Sequence, residues 1–328
     1  MPTLALDAAA LEKLVSAAVA APSIHNSQPW HFRLDPEISV LEVRAVRERA
    51  VPAADPQGRA MHISVGAAVL NLRVAARHLG WAPEVRLLPD PAEPDLFATV
   101  RLDAASPVRL PGSEALYAAV WRRHSIRTPF TDRPVPPDVL DRLVTAAAAE
   151  GTVLHLPGRA ETARLLELTA EAERRNTTDA AQRTESRNWV RSGDVPPYGI
   201  PAHALGPQDR GGRLPMRDFA ALRPAEHQRP ATFEHEPLLA VLTTDNDRPE
   251  DWLRTGLGLE HVLLTATVHE VRASLLHQVM EWPELRREAR EPHTGPECVQ
   301  MLIRLGYGPE GTPTPRLAAA EVLDPRKT

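Results

Sequence analysis

Prolines punctuate this chain more heavily than any other feature, with 33 among its 328 residues, about twice the usual share of roughly 5%. A proline ring fixes φ and removes a backbone donor, so proline avoids helix interiors and central strands. These prolines are spread through many connections. The expected protein therefore has regular elements joined by long, stiffened loops. Aromatics supply only 4% of the residues, so Leu, Val and Ala must build most of the core. At this length the chain suits two domains or two intimately packed halves.

Charge and cysteine content narrow the function classes. The net charge of −5 argues against a nucleic-acid binder, whose domain carries a basic excess. All but two of the 38 basic residues (Lys13 and Lys327) are arginine, so no arginine is informative without its context. One cysteine, Cys298, excludes an internal disulfide and fits a reducing compartment. It lies in the apolar run CVQMLIRL and reads as a buried structural thiol. The Ala-rich N-terminus ends in AVAAPS, but Asp7, Glu12 and Lys13 interrupt any signal-peptide core. No apolar run reaches the roughly 18 residues of a membrane span. The expectation is a cytoplasmic protein.

Periodicity predicts a helix from Asp7, with Leu11, Leu14, Val15, Ala18 and Val19 on one face. Pro22 stops it before the loop APSIHNSQPW, and a short strand HFRL follows. A second helix spans about Ile63 to Leu79 with Gly80 as its stop, and Leu96 to Leu102 alternates as a strand. Ser113 opens a third helix, Pro137 to Glu150 a fourth, and TVLHLP reads as a strand. Residues 160 to 191 have a helical but polar pattern with few core anchors after Leu168. Residues 193 to 230 lack periodicity, and a loop that long is usually functional or mobile. Leu238–Leu242 reads as an interior strand, 251 to 270 as an apolar helix, and EWPELRREA as a polar one. The last strand is CVQMLIRLGYG, with Val299, Met301, Ile303 and Leu305 on one face.

Two segments carry chemistry. In the first, Ala21 to Phe32, two prolines stiffen a loop in which Ser23, Asn26 and Gln28 crowd donors and acceptors into six positions. Such a loop suits a planar heterocycle with amide edges; taken alone, it reads better as a turn whose polar groups serve the local backbone. In the second, Arg122, Arg123, Ser125 and Arg127 surround His124 at a helix end and suit a phosphate. Alone, they read better as a solvated basic face near a helix C-terminus. Other motifs fail. Gly256 and Gly258 lack the third glycine of a dinucleotide fingerprint and read as close-packing positions. His261, His269 and His277 lack carboxylates at metal-ligand spacing. No G-x-S-x-G elbow is present.

Together, the two segments resemble the nitroreductase family. Pro22, Ser23, Asn26, Gln28, Pro29, Trp30 and Phe32 are similar to its P-S-x-x-N-x-Q-P-W-x-F flavin loop. Arg123, His124, Ser125 and Arg127 are similar to its R-H-S-x-(K/R) segment, and Leu305-Gly306-Tyr307-Gly308 with Arg316 to its closing strand and phosphate-binding residue. The order is reversed, since in ordinary members the R-H-S segment comes first and homodimers build two FMN sites across their interface. Here each half keeps the component that the other lacks. The arrangement resembles the Acg-type subfamily of actinobacterial flavoproteins.

That resemblance implies an α+β nitroreductase-like fold of two fused halves, each a mixed β-sheet flanked by helices, forming an intramolecular pseudo-dimer around one FMN. The expected divisions are an N-terminal half at 1–110 with the flavin loop at 21–32, and a C-terminal half at 111–328. The latter holds the phosphate grip at 122–127 and a lid-like insertion at about 176–230. The resemblance assigns Arg123, Ser125 and Arg316 to the phosphate, and His124 and Arg127 to the ring, where a cation near N1 and O2 stabilises reduced flavin. Pro22, Ser23 and Asn26 would reach the isoalloxazine across the interface, with Gln28 supporting the loop. The family's P-x-E-G ring contact is absent, and Arg272, Ala273 and Ser274 stand in that region. No catalytic side chain is named.

The implied activity is an FMN oxidoreductase passing electrons from NAD(P)H or another donor to a nitroaromatic, quinone or related small-molecule acceptor. A non-catalytic FMN-binding or sequestering protein with the flavin covered by a lid is the alternative, and a reductase with one biosynthetic substrate a third. The assembly expected is a monomeric pseudo-dimer or a homodimer, with no nucleic-acid, membrane or metal partner.

Overall fold

The computed structural model describes residues 6–103, 112–191, 197–219, 230–290 and 297–324. Parts of the expected insertion, 192–196 and 220–229, lie outside the described residues.

Asp7 caps α1 (Ala8–Val19) by accepting from Ala10 N at 2.7 Å, and the five apolar residues named for this helix are all buried. The strands β1 (Trp30–Asp35) and β2 (Val40–Ala45) follow, then α2 (Arg59–Leu79), β3 (Ala82–Leu87) and β4 (Leu96–Asp103). α2 begins a turn before the periodic apolar pattern does. Its first residue, Arg59, is buried because its guanidinium donates to Gln300 O at 2.7 Å. Helical periodicity cannot register a burial that depends on so distant a partner.

The chain continues through α3 (Ser113–Arg122), α4 (Pro137–Ala148), β5 (Val153–His155), α5 (Arg159–Thr178), α6 (Ala180–Trp189), β6 (Val190–Arg191) and β7 (Ile200–Pro201). It ends with β8 (Leu238–Thr244), α7 (Pro249–Val268), β9 (Arg272–Leu276), α8 (Pro283–Glu288), β10 (Cys298–Gly306) and α9 (Ala319–Val322). The polar stretch from 160 to 191 is thus two helices, broken at Asp179, which caps the second by accepting from Gln182 N. It has buried anchors after Leu168, but of these, Thr169, Ala172, Asn176, Gln182 and Ser186, four are polar.

The two halves repeat one topology. The run α1–β1–β2–α2–β3–β4 forms a sheet ordered β1-β2-β4-β3, and the run α4–β5–β8–α7–β9–β10 forms one ordered β5-β8-β10-β9. The strand pairings within these two sheets are antiparallel, and each sheet gains one parallel bridge at an edge strand, Leu323 to Phe32 of β1 and Ser125 to Ala273 of β9. Between β1 and β2 the first half has a short turn; between β5 and β8 the second half carries α5, α6, β6 and β7. The duplication is therefore plain in the topology although no internal sequence repeat announces it.

One strand face differs from the alternating pattern. A bulge at Gln300 shifts the β10–β8 register between Val299 and Met301. Met301, Ile303 and Leu305 face one core, while Val299 joins Leu302 in another. Cys298, at the start of this strand, is half-buried rather than buried.

The halves meet where α2 crosses α7. Gly66 and Gly256 sit at the crossing: a Cβ on Gly66 would lie 2.9 Å from Gly256 Cα, and one on Gly256 would lie 2.7 Å from Gly66 Cα. Real side chains do not approach this closely, so both positions are glycine because two backbones touch. Packing also crosses the midpoint of the chain. Ala119 and Val120 of α3, and Leu317, Ala319 and Val322 near the C-terminus, join the core built on α1, α2 and the first sheet. The terminal segment runs beside β1, with Asp324 N donating to Phe32 O at 2.9 Å.

Gly66→Ala or Gly256→Ala is expected to force the helices apart and cost at least the roughly 1–3 kcal/mol of ordinary overpacking. In thermal unfolding this appears as a Tm lowered by several degrees, whereas an unchanged Tm would show that the crossing relaxes freely.

Candidate functional site

A cavity of about 220 Å³ opens between the two halves. Its floor is made by Ala60, Ile63, Ser64 and Ala67 of α2 with Leu259 of α7 and Met301 of β10. Small residues on α2 let a ligand approach the helix closely.

Eight of the nine residues expected at the cofactor line this cavity: Pro22, Ser23, Asn26, Arg123, His124, Ser125, Arg127 and Arg316. They come from three distant stretches that local sequence cannot join. Arg123 is the C-cap of α3 and donates to Ala20 O at 3.1 Å, tying the grip to the end of α1. The segment after it lies along β9, with Ile126 N donating to Ala273 O at 2.8 Å. Farther on, Arg304 of β10 is fully buried against Glu234, whose other bond is to Phe130 N at 3.0 Å. Phe130 packs directly on Gly306 and Gly308, where added Cβ atoms would come within 3.0 Å of its ring.

Gln28, the ninth, does not line the cavity. Its side chain is buried, donating to Pro197 O at 2.7 Å and accepting from Leu317 N at 2.9 Å. It therefore fastens the loop to the insertion and to the C-terminal segment. Asn26 lines the cavity, but its amide donates to Gly199 O (2.9 Å) and Pro315 O (3.1 Å), and its Oδ1 accepts from Arg316 at 2.8 Å. Ser23 Oγ accepts from Gln28 N at 2.9 Å. The loop holds a strained backbone, since His25, Asn26 and Gln28 all have φ near +50°.

One end of the cavity is cationic. Arg123 is buried and Arg316 half-buried, and neither Nε has a hydrogen-bond partner. Arg123 Nε stands 3.3 Å from Glu260 Oε1, close enough for an ion pair but not aligned as a hydrogen bond. Burial, and then the like charge of Arg123, pull Arg316 down to about 9. Burial and the neighbouring Arg123, Arg316 and Arg272 hold His124 at about 4, so it is neutral at pH 7. Two guanidinium groups with unpartnered Nε donors therefore stand together at this end, and groups of this kind suit a phosphate in charge and geometry.

The opposite end was not legible in the sequence. It contains His203, Met216, Arg217 and Phe219 from the insertion, with His277, Gln278 and Glu281 around a short turn. The insertion thus forms one wall of the cavity. Arg217 pairs with the buried Glu281 and donates to Ser186 Oγ at 3.1 Å. Glu281 also accepts from Asn176 Nδ2 at 2.8 Å. His277 bridges Glu281 (3.1 Å) and Arg59 (3.1 Å), a histidine satisfied within the core that still borders the cavity. His25 Nδ1 has no partner, and burial followed by Arg217 lowers its pKa to about 3. Arg127 donates to Ala204 O at 2.9 Å and lies 5.0 Å over Phe219. In the region without the P-x-E-G contact, Ser274 lines the cavity while Arg272 turns to Glu310 at 3.5 Å. No group of three potential metal ligands occurs among the described residues, and no helix among them is long and apolar enough to cross a membrane.

Arg217, first after burial among the influences on Glu281, holds its carboxyl at about 2 against an ordinary 4.5. A depressed folded-state pKa contributes stability that is present above pH 4.5 and lost as pH falls through about 2. Glu281→Gln is therefore expected to cost about 3–5 kcal/mol near neutral pH, as for a broken buried pair. The deficit should narrow as acid unfolding is followed from pH 4.5 towards 2; a deficit constant with pH would rule out the ion pair as its source.

No family model matches the sequence. Across 97% of this chain and 92% of its own length, a Mycobacterium tuberculosis protein named "Putative NAD(P)H nitroreductase Rv3131" is 30% identical. A second, "Putative NAD(P)H nitroreductase acg" from the same organism, is 28% identical across 99% of this chain and 97% of its own length. Among solved structures, a nitroreductase with bound FMN from Desulfitobacterium hafniense is similar over 65% of this chain and 98% of that one, at 13% identity and a TM-score of 0.41.

Proposed function

Since the chain belongs to the nitroreductase family, we propose that it binds one FMN between its halves and works as an FMN-dependent oxidoreductase. The observation that carries this reading is the convergence of the R-H-S segment, the P-S-x-x-N loop and Arg316 on one cavity. The orphaned Nε donors of Arg123 and Arg316 fit a phosphate, and the small residues of α2 fit a flat ring lying over the helix. When bound, FMN supplies hydride and electron transfer that no side chain here offers.

The chain's own residues then have separate tasks. Arg123, Ser125 and Arg316 hold the phosphate, with His124 beside them as a neutral hydrogen-bonding group. Arg127 places a cation near the ring, and burial limits how much water competes for it. Ser23 and Ser274 offer hydroxyl groups towards the ring, while Asn26 and Gln28 spend their bonds on loop shape. The named M. tuberculosis relatives point to NAD(P)H as donor, and the proposed acceptor is a nitroaromatic, quinone or related small molecule.

A second reading is favoured by the insertion wall. Phe219 stands edge-on to His25 at 5.6 Å and between the guanidinium groups of Arg127 and Arg217. A wall fixed in this way covers the bound flavin and makes the protein an FMN-sequestering one; a wall that opens makes it a gate.

The test is to release the cofactor by heat, identify it, and add NADH or NADPH anaerobically. Bound FMN bleached by a pyridine nucleotide supports the oxidoreductase, and FMN reduced only by dithionite favours sequestration. A protein that takes up no FMN sinks both readings. Arg123→Ala and Arg316→Ala should each weaken FMN binding by roughly tenfold or more, the worth of a charged hydrogen bond.

A further inference from the structure

Beneath the phosphate grip lies a group that an anion site should not tolerate. Glu260 is fully buried in the middle of α7, one turn beyond Gly256 and on the face turned to α2. Its oxygens have no hydrogen-bond partner. Arg123 lies 3.3 Å away, Arg316 is close enough to influence it, and Asn71 of α2 brings a fully buried amide bonded at neither end. These are the charged and polar groups that face it from α3, the C-terminal segment and α2. Arg272 and Glu310 stand farther out beside His124 and offset one another.

The charge count poses the problem. Arg123 and Arg316 carry two positive charges, and His124 is neutral. A phosphate monoester carries close to two negative charges well above its second pKa of about 6. A neutral Glu260 leaves the buried cluster balanced, while an ionised one leaves it negative where a lone charge is expensive.

On the reading that FMN binds here, we propose that Glu260 couples the phosphate to a proton: its carboxyl takes up a proton as the phosphate docks on Arg123 and Arg316, and its ionisation loosens the docked phosphate. An ionised Glu260 competes for Arg123, whereas a protonated one releases that guanidinium. Asn71 can accommodate either form, donating to a carboxylate or accepting from a carboxylic acid. Burial supports the assignment by pushing the carboxyl up to about 7 against the pull of Arg123, Asn71 and Arg316. Glu260 is a positioning residue, since it does not line the cavity.

Coupling of this kind is reciprocal, so it has two independent readouts. FMN affinity should fall about tenfold per pH unit between pH 7.5 and 9, where the phosphate itself no longer titrates. Calorimetric titration in buffers of different ionisation enthalpy at pH 8 should register uptake of roughly one proton per FMN. Riboflavin, which lacks the phosphate, should bind without that uptake. In Glu260→Gln the uptake and the excess pH slope should disappear while FMN still binds; any contribution from Arg316 remains in both proteins. Glu260→Met provides the same test should the glutamine variant fold poorly.

Wild-type protein that binds FMN with no proton uptake overturns the coupling, whatever the variants do. Equal uptake in wild type and the folded variants, or with FMN and riboflavin, also overturns it. A wild-type protein that binds no FMN removes the proposed function itself, a different result from these.

Discussion

The contact between Gly66 and Gly256 is the constraint from which the rest of the architecture follows. Two helices whose backbones touch cannot slide without collision, so the two sheets hung on α2 and α7 acquire a fixed relation. The cavity floor is shared by these same helices, with Ala60, Ile63, Ser64 and Ala67 from one and Leu259 from the other. A site assembled from remote segments needs such a reference, because the R-H-S segment, the loop and the C-terminal arginine come from stretches about a hundred or more residues apart. The repeated topology places them around one interface; the insertion between β5 and β8 makes that interface asymmetric.

Buried Arg–Glu pairs recur, and their hydrogen bonding separates them into kinds. Arg304 and Glu234 bond each other twice, the carboxylate also accepts from Phe130 N, and the guanidinium donates to Thr128 O and lies 3.8 Å over the Phe130 ring, leaving Nη1 without a partner. Arg217 and Glu281 are likewise supported by Ser186 and Asn176. Desolvating such charges is repaid only when the remaining donors and acceptors find partners. Arg123 and Glu260 lack that support, as does Arg316 Nε. The first two pairs therefore act as fixed struts, and the third leaves unspent donors beside the cavity.

Periodic apolar faces made most helices legible from sequence, and the alternation from Leu96 to Leu102 marked β4 correctly. The missed features have non-local causes. Val299 changes face because Gln300 inserts an extra residue into β10. Arg59 lies in a helix end buried by a bond to a strand more than two hundred residues away. The motif segments identified eight cavity-lining residues because each is compact in sequence. Arg217, Phe219, His203, His277 and Glu281 come from stretches with no motif and no period, and they converge only when the insertion folds back. The place of His277 beside the cavity depends on Glu281, four residues on, and on Arg59, more than two hundred residues away.

The loop from Ser23 to Gln28 shows why such convergence matters energetically. Left-handed backbone at His25, Asn26 and Gln28 costs each residue roughly 1–2 kcal/mol, and no glycine is present to relieve it. The compensation comes from outside the loop. Gly199 and Pro197 of the insertion bond to Asn26 and Gln28, and Pro315, Arg316 and Leu317 bond to the same two side chains. The strained loop, the insertion wall and the C-terminal arginine are therefore one mechanical unit. Residues 197–199 and the C-terminal segment are thereby tied through Asn26, whose amide nitrogen donates to Gly199 O and Pro315 O while its oxygen accepts from Arg316.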